Sequence, residues 1–223
     1  MPADARRAAT PIPPARPSAR PPRQERGQKR IDEILDAAAG LVEEMGPEAV
    51  TVQAISARAG ASKGSMYHFF PDRESVLEAL VERHVDALRA RLEEERGVRA
   101  EAAAGSADEA VGAFLEPVDA YVQRHPDLTR ILREPASLNR LASQRGTLAA
   151  LVEAHAAWML RLRRPGLGAE TIARAAATML AIVSGMRSER VLAAAGSPDA
   201  VAREMRRVLG AYVESFEEES RAG

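Results

Sequence analysis

The stretch that most restricts this chain is residues 51–70, TVQAISARAGASKGSMYHFF, where two short helical runs flank a glycine. Residues 52–59 are helix formers with Ile55 as the inward side chain, and Thr51 is suited to cap their N-terminus. Gly60 can take the left-handed conformation that ends a helix at no steric cost. Ser62 is placed to cap the second run, and Pro71 stops it, because proline disfavours helical geometry in the residue before it. Helix, three-residue turn and helix is a helix-turn-helix layout, whose second helix enters the DNA major groove.

Around that unit the period of the apolar residues is helical throughout. Ile31, Ile34, Leu35, Ala38, Leu41, Val42 and Met45 fall on one helix face, which Gly46 and Pro47 end. One supporting helix followed by two short ones is a three-helix DNA-binding arrangement. After Pro71, Asp72 caps a helix expected to run to about Glu95, and the Ala/Gly-rich residues 97–107 read as a loop or frayed turn. A helix from Asp108 ends before Pro126, and a short one precedes Pro135. Residues 137–164 are expected as one long helix, closed by the turn at Pro165 to Gly168. The last two helices are expected over about 170–195 and 198–218.

Composition agrees with an all-α fold and narrows the function. Aromatics are 4% of the chain, and Ala, Leu, Arg and Glu dominate, a mixture that suits packed helices better than strands. With 31 basic and 32 acidic side chains there is no bulk attraction for nucleic acid, so a DNA site must come from local charge. No cysteine is present, which excludes disulfides, thiolate metal sites and cysteine nucleophiles. The N-terminus lacks the apolar core of a secretory signal. The longest uncharged run, residues 175–186, is shorter than the roughly 20 residues a bilayer span requires. A soluble, cytoplasmic protein with no membrane partner is the expectation. Residues 1–26 carry much of the proline and six arginines, and read as a disordered arm that cannot bury enough apolar surface to offset its ordering entropy.

In the last two helices, Ala173, Ala176, Ala177, Ala181, Ser184 and Gly185 line one with small side chains, while Val201, Met205, Val208, Leu209, Tyr212, Val213 and Phe216 stripe the other. Such faces let a neighbouring helix approach closely and invite a partner.

The string Ile34-Leu35-Asp36-Ala37-Ala38, Gly46, Thr51-Val52, Ile55-Ser56, the run Ala59 to Phe70, then Asp72-Arg73-Glu74 and Leu77 resembles the N-terminal domain of TetR-type (tetracycline-repressor-like) transcriptional regulators. The resemblance covers roughly residues 26–80. It implies an arm over 1–25, a DNA-binding domain over 26–73, and a helical effector-binding and dimerisation domain over 74–220. It further implies a homodimer that binds double-stranded DNA at a palindromic operator, a small-molecule effector, and pairing of the last two helices across the dimer as a four-helix bundle. Ala177, Ala181, Ser184, Met205, Leu209, Tyr212 and Phe216 are the expected interface residues.

On DNA, Thr51 and Ser62 sit where helix N-termini favour a phosphate, and Lys63 brings a mobile cation to the start of the recognition helix. Gly64 permits close backbone approach. Ser65 and Tyr67 can reach phosphate or base edges, while His68, Arg73 and Arg30 are further candidates for the DNA backbone. Met66, Phe69 and Phe70 read as core. Within the second domain the expected ligand contacts are Phe114, Tyr121, His125, His155, Trp158, Met159, Met179 and Met186, since an apolar cavity with a few polar groups is the usual small-ligand site.

An enzyme is the weaker alternative. The di-iron bundle pattern needs Glu three residues before His, and those positions hold Ser65, Val81, Val122 and Val152. No HExxH, phosphate loop or nucleophile elbow occurs, so no metal or cofactor is expected. A second alternative keeps the DNA fold without an effector, as an architectural or partner-binding protein.

Overall fold

The computed structural model describes residues 23–134 and 141–222, all of them helix, turn or short connection. Most of the expected arm, residues 1–22, lies outside the described residues. The first helix, α1 (Arg23–Met45), reaches back eight residues beyond its apolar stripe and takes residues 23–25 out of that arm. Gly46, at φ 91°, ends α1 in a conformation that side chains rarely adopt, and a 3-10 turn (Pro47–Ala49) follows. Then come α2 (Val52–Arg58) and α3 (Lys63–Phe69), joined through Gly60 at φ 58°. Thr51 Oγ1 accepts from the Ala54 amide at 3.0 Å and Ser62 Oγ from the Ser65 amide at 3.1 Å, so both short helices begin on side-chain caps.

Ile55 and Met66 are wholly buried beneath α1 and the start of α4 (Arg73–Ala104), along with Val50 and Phe70. Phe69 is only half-buried. Arg58 grips Glu44 of α1 through both guanidinium nitrogens at 2.7 and 2.5 Å. That clamp passes directly over Gly40, where a Cβ would stand 2.7 Å from Arg58 Nη2.

α4 continues straight through the expected break at Gly97. The glycine is exposed, and the turns on either side are anchored by Leu92 and Ala103, both fully buried. Arg99 also pairs with Glu95 on its own helix and Glu116 on the next. One exposed glycine costs a helix about 1 kcal/mol, and buried neighbours and ion pairs offset that here. α5 (Ala107–Arg124) starts on a Ser106–Glu109 capping box and carries Pro117 in its interior. α6 (Pro126–Arg133) is followed by residues 135–140, outside the described residues, as is that part of the expected helix over 137–164. α7 (Ala142–Arg163) packs between α4 and α8 (Ala169–Met186). The single helix expected over 170–195 is two helices: α8 ends at Met186, and α9 (Glu189–Ala195) starts after Ser188. Arg187 leaves the helix to pair with Asp119 on α5, which draws the chain aside at that point. α10 (Pro198–Ala222) closes the bundle against α5 and α8.

Two apolar cores result. The first joins α1 to α3 and the first five turns of α4, and also takes in Tyr121, Leu128, Ile131 and Leu141. The second lies between α5, α7, α8 and α10. Among the described residues no helix is long and apolar enough to cross a membrane.

Candidate DNA-binding surface and effector cavity

The short helix α3 divides its side chains between two duties. Met66 faces inward, while Lys63, Gly64, Tyr67 and His68 are exposed, Tyr67 at 57%. An exposed tyrosine offers both an apolar ring and a hydrogen-bonding hydroxyl to a partner. Nothing inside the subunit calls for a glycine at 64, whose missing Cβ would meet only Ser62 Oγ at 4.0 Å. Arg30, on α1, pairs with Glu33 one turn on, at 2.8 Å.

Arg73, expected on the DNA backbone, donates within the subunit to the Pro47 carbonyl at 2.8 Å and to Glu134 at 2.7 Å, with Glu134 buried. A guanidinium holding a buried carboxylate and a carbonyl is a structural tie between α4, the 3-10 turn and the end of α6.

Two further ties converge on α6. Arg130 donates to the carbonyls of Val42 and Glu43 at the C-terminal end of α1, at 3.1 and 2.8 Å, where a cation also meets the negative end of the helix dipole. Asp127, 1% exposed, accepts from His84 Nε2 at 2.8 Å, and the other ring nitrogen, Nδ1, lies 2.9 Å from the Tyr121 hydroxyl. Burial works to raise the Asp127 carboxyl, yet the His84 hydrogen bond and charge hold it below the usual carboxylate range. Burial, with the Asp127 charge, pushes Tyr121 up to about 12, so its proton stays on. His125 is held below the usual imidazole value by burial and by neighbouring His84. His84, His125 and Asp127 place ligand-capable atoms within 4.8 Å of one another, a metal-like donor set that no sequence spacing signalled. Asp127 is one of the residues sequence reasoning missed.

Behind α6, on the side away from α1, lies a cavity of about 620 Å³, within the range of small-ligand sites. Its wall draws on every helix from α4 to α10. Leu88, Val122, Leu148, Val152, Val183 and Val201 give it an apolar surface, and Asp119, Arg133, Arg145 and Arg187 bring charge to it. None of the eight expected ligand residues lines it. Phe114, Met159 and Met179 are buried in the second core, with Trp158 and Met186 packed at its edge. Tyr121 and His125 belong to the His84 network. His155 has a different task. Pro117 has no N–H to give the Ala113 carbonyl one turn back, and His155 Nε2 supplies the donor at 3.3 Å. Burial pushes that imidazole down to about 4, so it packs as the neutral ring.

The expected interface residues divide in the same way. Ala177, Ala181 and Ser184 are exposed on α8, Ser184 also touching the cavity. Met205 and Leu209 are almost wholly buried inside the subunit, Met205 on the cavity wall, so neither is available to a partner. Tyr212 and Phe216 are half-buried against the second core. The helical stripe of α10 is therefore mostly spent within the chain.

Comparison with known proteins gives this arrangement its context. Residues 34–80 match the model of the bacterial regulatory proteins of the tetR family, and residues 106–212 the tetracyclin repressor-like C-terminal domain. The nucleoid occlusion factor SlmA of Glaesserella parasuis is 31% identical over 106 residues, 47% of this chain and 50% of that protein. The transcriptional repressor KstR2 of Mycobacterium tuberculosis is 31% identical over 115 residues, 52% of this chain and 54% of that protein. The chain thus spans about half the length of the curated relatives it matches. Among solved structures, a TetR-family transcriptional regulator from Streptomyces coelicolor aligns with a TM-score of 0.56 at 19% identity, over 85% of this chain and 98% of the other. A transcriptional regulator from Rhodococcus sp. Rha1 aligns with 0.59 at 23%, over 85% and 96%. At those identities the likeness is one of fold.

Proposed function

The chain belongs to the TetR family of bacterial regulatory proteins, and on that premise we propose that it is a homodimeric repressor released from a palindromic operator by a small molecule. Residues 26–73 form the reading head and 74–220 the effector and dimerisation domain. Thr51, Ser62, Lys63, Ser65, Tyr67 and His68 meet the DNA, with Gly64 allowing close approach. Arg30 is within the same head, while Arg73 is left to its structural tie. Ala177, Ala181 and Ser184 present the small-residue face on which α8 meets a second copy. The protein acts where its DNA is, in the cytoplasm.

The observation that carries this reading is the position of α6. One side of it, through Leu128 and Leu132, is cavity wall, and the other, through Arg130, holds the end of α1. A molecule that binds the cavity better when α6 is displaced draws α1 with it, and α1 is the floor on which α2 and α3 stand. The ligand then favours a dimer whose recognition helices no longer match the groove spacing, a population shift set by its differential affinity for the two states. An architectural DNA protein without effector has no use for an apolar cavity in that place.

Selection of bound sequences from a random DNA pool, followed by a metabolite screen for release, tests the proposal. A near-palindromic operator freed by one class of small molecule is the expected result. Selected sequences with no two-fold relation would reject the dimeric reading, and an operator that no small molecule releases would restore the architectural one.

A further inference from the structure

The charged groups on the cavity wall do not balance. Asp119 is taken up by Arg187, to which it is ion-paired. Arg133 and Arg145 remain. Arg133 makes no ion pair among the described residues. Arg145 Nε and Nη2 are buried without a hydrogen-bond partner. Burial holds the Arg145 guanidinium below its usual value with no neighbouring charge to restore it. Arg133 is the last residue of α6 and Arg145 lies in the first turn of α7, so both belong to the corner between those helices. Residues 135–140, PASLNR, which connect the two, contain no acid.

Buried guanidinium N–H groups left unpaired are costly, and arginine cannot shed its proton to escape the cost. A planar fork of donors at one end of an apolar cavity matches a carboxylate or a phosphate. The rest of the wall is mainly apolar, with Gln123, Thr129 and Ser184 as its uncharged polar residues and Asp119 and Arg187 paired to each other. Resting on the cavity as the effector site, we propose that the effector is an amphipathic acid. Its anionic head lies against Arg145 and Arg133, and its apolar tail runs along Val122, Leu148, Val152 and Val183. The head also screens the two guanidinium groups from each other at the end of α6, which places ligand charge beside the helix that holds α1.

Decanoate, decyl phosphate and decanoyl-coenzyme A, with decanol and decylamine as neutral and cationic controls, are titrated into the full chain by calorimetry, and operator release is followed in parallel. At least one acid should bind about tenfold or more tightly than decanol, the size expected of one charge-assisted hydrogen bond. The acid that leads identifies the head group. In Arg145→Met that preference should collapse to within about threefold while decanol binding is kept, which shows the cavity intact. Arg133→Met, a change at an exposed side chain, should reduce it by a smaller factor. Decanol or decylamine binding as tightly as every acid would overturn the proposal, as would a preference that survives in both variants, or no acid binding up to about 1 mM. Acid binding that leaves the operator occupied would uphold the ligand class and reject the cavity as the effector site.

Discussion

The reading head and the cavity are built by opposite means. In residues 51–70, caps act three residues apart, the turn rests on Gly60, and one inward residue per helix, Ile55 and Met66, makes the core. Its polar groups stay in water apart from Ser56, which is buried. The cavity is enclosed by side chains from Leu88 to Met205, on seven helices, and its charged groups are paired with distant partners, as Asp119 and Arg187 are, or unpaired, as two buried nitrogens of Arg145 are. A surface that neighbours assemble carries its chemistry openly in the sequence, whereas a surface assembled by distant helices does not. The contrast also bears on energetics, since the head is packed tight and the cavity wall is already half empty.

Truncation should break that contrast most visibly. Met66→Ala empties a filled site and should cost about 2–5 kcal/mol in urea unfolding. Leu148→Ala enlarges space that already exists and should cost about 1 kcal/mol. Equal losses would mean that the cavity is packed as tightly as the head. Next in size, Arg73→Ala removes the guanidinium's bonds to Glu134 and to the Pro47 carbonyl and should lower stability by about 1–3 kcal/mol. The salt dependence of its operator binding should stay unchanged. A flattened salt slope in that variant would return Arg73 to the DNA surface.

Acid should weaken the second core through His155. His155 titrates at about 4 when folded, against about 6.5 unfolded, so the folded state disfavours the proton. Stability is full above pH 6.5 and falls as pH drops through 6.5 towards 4, because the unfolded chain gains the proton first. The loss reaches about 3 kcal/mol at most. Thermal unfolding of His155→Phe over that range should show a flatter slope than the parent. An unaltered slope in His155→Phe would assign the acid sensitivity elsewhere. The smallest effect belongs to the head's surface: Lys63→Ala should lower the slope of log affinity against log salt by about one, with little change in stability. A parent-like slope would remove Lys63 from the phosphate contacts.

Several features escaped sequence reasoning for reasons the structure makes plain. Gly97 resembles a helix end because composition does not reveal that Leu92 and Ala103 are anchored on either side. The residue at the break, Arg187, is paired with Asp119, 68 residues away. Met and aromatic residues at helical spacing suggested ligand contacts, but Phe114, Met159 and Met179 are ordinary core. His155 was expected as a ligand contact, and its partner is a carbonyl freed by a proline on another helix. The His84–Asp127 pair spans 43 residues and carries no motif.

The amino-acid sequence by itself determined the helix-turn-helix, its caps and turn, the residues that hold it together and the all-α character of the remainder. Each of these depends on propensity, periodicity and partners within one helical turn. Only the tertiary structure decided where the cavity lies, that Arg73 and α10 are largely spent within the subunit, that Pro117 is matched by His155, and that α6 joins cavity to reading head. Those outcomes depend on which distant side chains meet when apolar faces are buried, and burial is non-directional, so one periodic pattern serves many packings equally well.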